Sequence, residues 1–539
     1  MPNYAVFFLT LAGQLLWFAG TAFLLSSLSS GFIYWLALLL ITVLPGFYGS
    51  DCVFSYGEPF LTPRIYAEAV ALTGLGFAFK GRWWLAGLPV FLALTLHPLM
   101  TLPVLLLLII YHDPAQDKGL KRGAAILVTV IFIPLLTIEP FNRLLQTMDS
   151  QWYQLNVQRS PFIDFTAWHT ADWMSVIFSE SVLFTGWLVA EGKLKKIFFA
   201  VIAISIISIA LNITGVTLLK NVLLMQIQTY RWLWLLQWFT YFTFAWFAGT
   251  WWKRSEYARA VILVLICAWL MLEHIGALIA PLAASAWAWH IRRGHGQKLP
   301  RRVRVCVYLL LLQSVAAWIL LNIQIISRMD GLFQDQQTWV PTLFRLGSGV
   351  IIVPLFLVIW HFFKNFRTLW ITIPASIITG MVFFIVISEW DKRQPDRFPR
   401  PLANVEEFAE FRRLIPENSI VYWEDNNALN VWLLLKRSSY ISEIQTAGIV
   451  FNRQTALEAL RRTENIRPLS MRDYASTMEW KGGQKPLTQP KVNKFDLIKV
   501  CQDPLLGFVV FNSPINGAIE VASHKDTQTG QRFYLYKCS

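Results

Sequence analysis

Gly49-Ser-Asp-Cys-Val-Phe-Ser-Tyr-Gly-Glu-Pro-Phe-Leu-Thr-Pro-Arg-Ile-Tyr-Ala-Glu68 is the stretch on which the reading of the fold turns. It sets Asp51, Glu58, Arg64 and Glu68 between long apolar runs. Ionisable groups beside hydrocarbon are costly unless paired or hydrated, so their presence there signals a functional site. Glu58 is followed by Pro59, and Pro63 comes immediately before Arg64. The two prolines keep the backbone extended, giving a stiff loop that presents an acid and a base.

Working outward, the chain has 539 residues, of which 55% are hydrophobic and only 15% charged, with 25 tryptophans. Its mean hydropathy is +0.46. That is too apolar for a soluble domain of this length. Apolar runs of roughly 15 to 25 residues recur from Tyr4 to Ile387, and the last ~145 residues read as an ordinary water-soluble domain. The net charge of +14 raises the question of nucleic acid. Its basic residues sit in short loops between apolar runs, such as Lys118, Lys121 and Arg122, or Lys193, Lys195 and Lys196. The charge is therefore a topology signal marking cytoplasmic loops, and no nucleic-acid partner is expected.

Laying those loops on one side gives a path of about 14 membrane segments. They run near 4–26, 31–47, 64–79, 83–96, 98–111, 123–138, 179–190, 197–217, 231–250, 260–273, 275–290, 305–326, 343–363 and 368–388. The expected fold is an all-α polytopic membrane domain over 1–390, followed by a small α/β extracytoplasmic domain over 391–539. Runs of about 13 residues that meet at His97 and at Glu273-His274 cover only ~20 Å, so they read as hairpins or as helices ending in a recessed cavity. The face opposite the basic loops carries 48–63, the His97-Pro98 turn, 139–178, 218–230 and everything after Glu389. The same count puts the amino terminus outside, which suggests a helix and loop upstream of this chain.

In the terminal domain, Ile420-Val-Tyr-Trp423 reads as a strand and Asn427–Leu435 as a helix. A further helix is expected over Gln454–Arg462, capped by Asn452 or Thr455. A hairpin of Phe508–Phe511 with Phe533–Tyr536 closes the chain. Without a Gly-rich nucleotide fingerprint, recognition or support suits this module better than chemistry. Cys501 and Cys538 are expected to form a disulfide if the domain faces an oxidising compartment, whereas Cys267 and Cys306 read as inert.

Glu58, with Asp51, is the candidate general base or ligand of a divalent cation such as Mg or Mn, because hard cations favour carboxylate oxygens. Arg64 would clamp a phosphate, since the guanidinium fork matches it. The competing reading is a Glu58–Arg64 pair that merely stabilises the loop. His97, beside the Pro98 break, would bind phosphate or orient the carboxylate, or else hydrogen-bond a freed carbonyl. Glu139 is a weaker second carboxylate. The aromatic segment 147–179 reads either as an interfacial anchor or as a cleft in which Arg159, Asp164 and Asp172 handle a polar substrate. Gln226, Gln228 and Arg231 enter another span and could hold a lipid phosphate, with snorkelling the alternative for Arg231.

The acidic outward loop with Asp51 and Glu58, the His97-Pro98 break, the many uneven helices and the terminal α/β domain together resemble the GT-C class of integral-membrane glycosyltransferases. The run Glu-Pro-Phe-Leu-Thr-Pro-Arg is also similar to that of bacterial polysaccharide-cluster membrane proteins. The resemblance implies a polyprenyl-phosphate-linked sugar as donor and a glycan or other acceptor. It also implies work at the bilayer of a bacterial inner membrane, with the terminal domain on the periplasmic or extracellular side. The resemblance implies an essential acid in a first outward loop, and this chain is expected to begin beyond that loop, so that the base lies upstream, or Asp51 or Glu58 takes the role, or catalysis has been lost. An O-antigen-type polymerase or ligase, a non-catalytic subunit for polysaccharide export and a transporter are the rivals. A transporter predicts internal repeats and mid-membrane charge, and neither is evident.

Overall fold

The computed structural model describes residues 2–50, 53–112, 137–272, 276–294, 298–330, 339–363, 406–424, 428–478, 492–526 and 530–538. The chain divides into two compact units. One comprises Met1–Gln146 with Asp164–Ile373, and the other Thr147–Ile163 with Pro374–Ser539. A short piece of the outward segment thus belongs with the C-terminal unit, and the expected boundary near residue 390 lies outside the described residues.

The first unit is helical. Its chain runs through α1 (Pro2–Leu28), α2 (Gly31–Val43), α3 (Pro63–Phe79), α4 (Trp83–Leu96) and α5 (Pro98–His112). The strands β1 (Phe47–Tyr48) and β2 (Phe54–Ser55) lie between α2 and α3 and pair antiparallel, Phe47 opposite Ser55. The prolines act as the sequence leads one to expect: Pro63 opens α3 and Pro98 opens α5, both at the first turn, where a missing N–H costs nothing. α1 and α3 pack closely, and a Cβ on Gly20 would come within 2.5 Å of the Ala69 carbonyl.

Among the described residues, three helical stretches are long and apolar enough to cross a membrane: Ala5–Leu28, Gly192–Leu218 and Arg301–Gln324. Other apolar helices, among them Gly31–Val43, Trp83–Leu96 and Pro98–His112, are shorter. The count of fourteen is therefore not established, and the expected segments at 123–138 and 368–388 lie largely or wholly outside the described residues. Apolar runs follow composition, whereas a span also needs unbroken helical length. Large apolar side chains are exposed on the outer faces, including Trp84, Leu88, Phe91, Leu282 and Leu312. A surface of that kind suits lipid and not water.

The remaining helices of this unit are α7 (Thr170–Val189), α8 (Gly192–Leu211), α9 (Val222–Ile227), α10 (Leu233–Trp251), α11 (Glu256–Leu270), α12 (Ala277–Arg293), α13 (Arg301–Asp330) and α14 (Trp339–Phe363). α6 (Ser150–Arg159) belongs to the other unit. α10 is the centre of the packing. Trp234, Trp238, Phe239 and Phe242 on it are fully buried, and Phe198 of α8 lies 6.1 Å from Phe242.

The second unit is an α/β module, as expected. Strands β3 (Ile420–Trp423), β4 (Ser438–Ser439), β5 (Phe508–Phe511), β6 (Ala522–Lys525) and β7 (Arg532–Lys537) form one sheet in the order β4-β3-β5-β7-β6. β3 pairs parallel with β4 and β5, and β7 antiparallel with β5 and β6. The expected pairing of Phe508–Phe511 with Phe533–Tyr536 is present, but β6 intervenes in the chain, so it is not a simple hairpin. Phe408, Phe411, Val421, Trp423, Phe508 and Phe533 build the core on one face. The helices are α15 (Ala409–Leu414), α16 (Arg453–Ser470), α17 (Tyr474–Met478) and α18 (Lys494–Val500). Asn452 caps α16, its side chain accepting the Thr455 N–H at 3.0 Å. Cys501 and Cys538 are joined by a disulfide.

Candidate functional site

The loop between α2 and α3 is held from below by buried polar groups of α1 and α3. Gly57 sits at φ +59°, and a Cβ there would touch Trp17 at 3.0 Å, so glycine is required for both backbone and space. Its N–H donates to Glu68 Oε2 at 2.8 Å, and Trp17 Nε1 donates to the same oxygen at 3.0 Å. Gln14 on α1 donates to the carbonyls of Gly57 and Glu58. Trp17 stacks on Tyr56, ring centroids 5.6 Å apart. Glu68 is 1% exposed and its Oε1 has no hydrogen-bond partner. It anchors the loop, a role that its place in the quoted stretch signals only as charge.

Above this anchor the charged side chains converge. Glu58 is 2% exposed; its Oε1 pairs with Arg64 Nη2 at 3.0 Å, and its Oε2 accepts from the Thr62 hydroxyl at 2.8 Å. Burial pushes the Glu58 carboxyl up, against the pull of Arg64, Thr62 and Arg231. Arg64 lies over the Phe54 ring at 4.9 Å and Arg231 over the same ring at 4.2 Å. Cation–π contact with one ring thus assembles two guanidinium groups that would otherwise repel. Arg231 is oriented by Gln228, whose Oε1 accepts from Arg231 Nε at 2.6 Å and from the Tyr230 hydroxyl at 3.0 Å. Gln228 adopts φ +53°, a left-handed conformation that a non-glycine residue holds only at a cost.

His97 lies in the break between α4 and α5, and both Arg64 and Arg231 act on it electrostatically. Its ring Nδ1 is buried and makes no hydrogen bond. Four of the residues singled out from the sequence, Glu58, Arg64, His97 and Arg231, therefore belong to one cluster, with Gln228 behind it. Asp51 lies outside the described residues, as do Glu273 and His274. Phe54, Tyr230 and Thr62 complete the cluster and do not stand out in the sequence, since aromatic and hydroxyl side chains carry no charge signal there, whereas Glu68 stands out as a charge but not as the anchor of the loop.

Other candidates are spent elsewhere. Arg159 is buried in the C-terminal unit. Its Nε donates to Thr446 Oγ1 at 3.0 Å, and its Nη2 pairs with Glu443 at 2.8 Å. Asp164 accepts from Thr166 N and from the Thr217 hydroxyl. Asp172 accepts from the Ser50 hydroxyl and from its own helix's His169 N–H. Gln226 accepts from Arg143, which also pairs with Glu139 at 2.7 Å. Each of these does structural work.

Glu58 and Asp51 were also the expected metal ligands. Both Glu58 oxygens are taken, and among the described residues no group of three or more His, Cys, Asp or Glu is placed to hold a metal ion. Asp51, the other expected ligand, lies outside the described residues.

Close to the loop, an apolar cavity of about 260 Å³ opens between α2, α7, α10, α11, α13 and α14. Leu44 and Tyr241 line it, and the Tyr241 hydroxyl donates to the carbonyl of Pro45, where the loop begins. Comparison with known protein families, curated proteins and solved structures gave no match.

Proposed function

We propose that this chain is a glycosyltransferase of the bacterial inner membrane that moves a sugar from a polyprenyl-phosphate carrier to a glycan or other acceptor on the non-cytoplasmic side. The observation that carries the reading is the pair of guanidinium groups of Arg64 and Arg231 on one Phe54 ring, beside the buried Glu58 and His97. Two cations answered by the Glu58 ion pair suit a dianionic or diester phosphate. The apolar cavity bordering Leu44 and Tyr241 suits the isoprenoid part of such a donor. The resemblance to the GT-C class, read from the acidic loop and the His97-Pro98 break, supplies the reaction type.

In this reading the donor phosphate rests on Arg64, Arg231 and His97. Glu58 accepts the proton of the acceptor hydroxyl as its oxygen attacks the anomeric carbon. The bond from that carbon to the carrier phosphate breaks, with inversion, and the arginines hold the departing phosphate. Burial raises the Glu58 carboxyl toward the range in which a general base works best. Asp51 is the second candidate for this role, since it stands in the same stretch of sequence. Fourteen spans and a periplasmic terminal domain, tied by its disulfide, belong to the same proposal.

Transfer from a panel of polyprenyl-phosphate sugars in proteoliposomes tests it. Glu58→Gln is expected to abolish transfer while expression and thermal melting stay unchanged. Full transfer by that variant would overturn the assignment of Glu58 as base.

A further inference from the structure

A second charged hollow in the helical unit lies outside the transfer reading. Between the end of α10 and the start of α11 a cavity of about 500 Å³ opens against the last turns of α12. Trp251, Lys253, Arg254, Ser255, Trp287 and His290 line it, and no aspartate or glutamate stands among its described lining residues. The nearest acid in sequence, Glu256, is bound to the Leu299 N–H at 2.8 Å and to Arg304 at 3.4 Å. Lys253 and Arg254 therefore carry charge that nothing in the lining neutralises.

The walls are aromatic. His290 is stacked between Tyr257 at 3.9 Å and Trp287 at 5.5 Å, and Trp251 meets Trp287 edge-on at 5.6 Å. Arg254 lies over the Trp251 ring at 5.6 Å. Trp287 is 1% exposed, and its indole N–H has no acceptor. A buried donor in that condition is expected where a ligand supplies the missing acceptor. Ser255 caps α11, so the first N–H groups of that helix end at the same place and favour negative charge. On either side, Trp252 and Trp289 project outward, 41% and 50% exposed. Exposed tryptophans flanking a basic pocket are the pattern of a headgroup layer.

We infer that this hollow binds a phosphate group, presented as the headgroup of an anionic glycerophospholipid. Cations at the rim meet the phosphate oxygens, the indole donor fixes one of them, and the outward tryptophans seat the glycerol and chain ends. The site is separate from the Glu58 cluster in its residues, so it stands or falls apart from the transfer reading.

The test uses the full chain in nanodiscs of phosphatidylcholine alone or with phosphatidylglycerol, followed by native mass spectrometry after partial delipidation. Wild type is expected to retain one phosphatidylglycerol and no phosphatidylcholine. Lys253→Ala with Arg254→Ala is expected to weaken that retention about thirtyfold, each cation contributing about fivefold. Both side chains are exposed, so the fold is not at stake. Trp287→Phe keeps the ring and removes the donor, and should weaken retention several-fold. Displacement of the lipid by excess inorganic phosphate would assign the pocket to a free phosphate and overturn the lipid headgroup. Equal retention by wild type and the double variant would overturn the site altogether.

Discussion

Arg159 in the C-terminal unit and Arg231 in the helical unit are both arginines at the edge of apolar surface, yet their surroundings differ. Arg159 is 5% exposed and pairs with the Glu443 carboxylate, with Thr446 and the Glu443 carbonyl taking further N–H groups. Arg461 in the same unit likewise grips Glu458 through two nitrogens and Asp503 through a third. Arg231 instead rests on the Phe54 ring and is held by the neutral Gln228 amide, with no carboxylate within 4 Å among the described residues. Where charge is matched locally it serves the scaffold. Where it is oriented but left unmatched, it is available to an anion that arrives later.

The sharpest break of this comparison is Glu58→Gln. Its expected cost is about a thousandfold in transfer rate, since a positioned base contributes about 10²–10⁴-fold, with melting unchanged. A fall in melting temperature without loss of transfer would make Glu58 a scaffold residue like Glu443. Arg159→Met should do the reverse: it leaves Glu443 unanswered, costs about 3 kcal/mol in stability of the C-terminal unit, and shows as early proteolysis of that unit.

Arg231→Lys is a smaller change. Lysine keeps the charge but loses the planar contact with Phe54 and the Nε bond to Gln228, so donor KM should rise about tenfold with kcat nearly kept. The mildest test is pH. The Arg461 hydrogen bond holds the Glu458 carboxyl down to about 2, below its ordinary value. A depressed folded-state pKa gives stability that is present above the unfolded value and lost as pH falls toward about 2. Hydrogen exchange in α16 should accelerate over that window, and Glu458→Gln should flatten the response.

Much of the cluster was legible because its signals are local. Pro59 and Pro63 stiffen the loop and Pro98 marks the break at His97, while the basic loops between apolar runs put residues far apart in sequence on one face. The fate of Arg159 was not legible. Its partner Glu443 lies 284 residues away, and an amphipathic aromatic helix at a membrane edge looks the same whether it rests on lipid or on protein. Glu68 was visible as a charge but not as an anchor, because its donors are the Gly57 backbone and the Trp17 indole. The count of fourteen spans is not established, for a related reason. Composition marks where the chain is apolar, whereas crossing a bilayer takes roughly 20 helical residues in a row, and α2, α4 and α5 fall short.

The central claim is that the arginines on Phe54 form a phosphate cradle, and equilibrium binding of polyprenyl phosphate to the purified chain tests it most directly. Arg64→Ala and Arg231→Ala should each weaken binding at least about tenfold, as expected for a lost charge-assisted contact, while Arg159→Met leaves it unchanged. Equal affinity for wild type and both cradle variants would contradict the account.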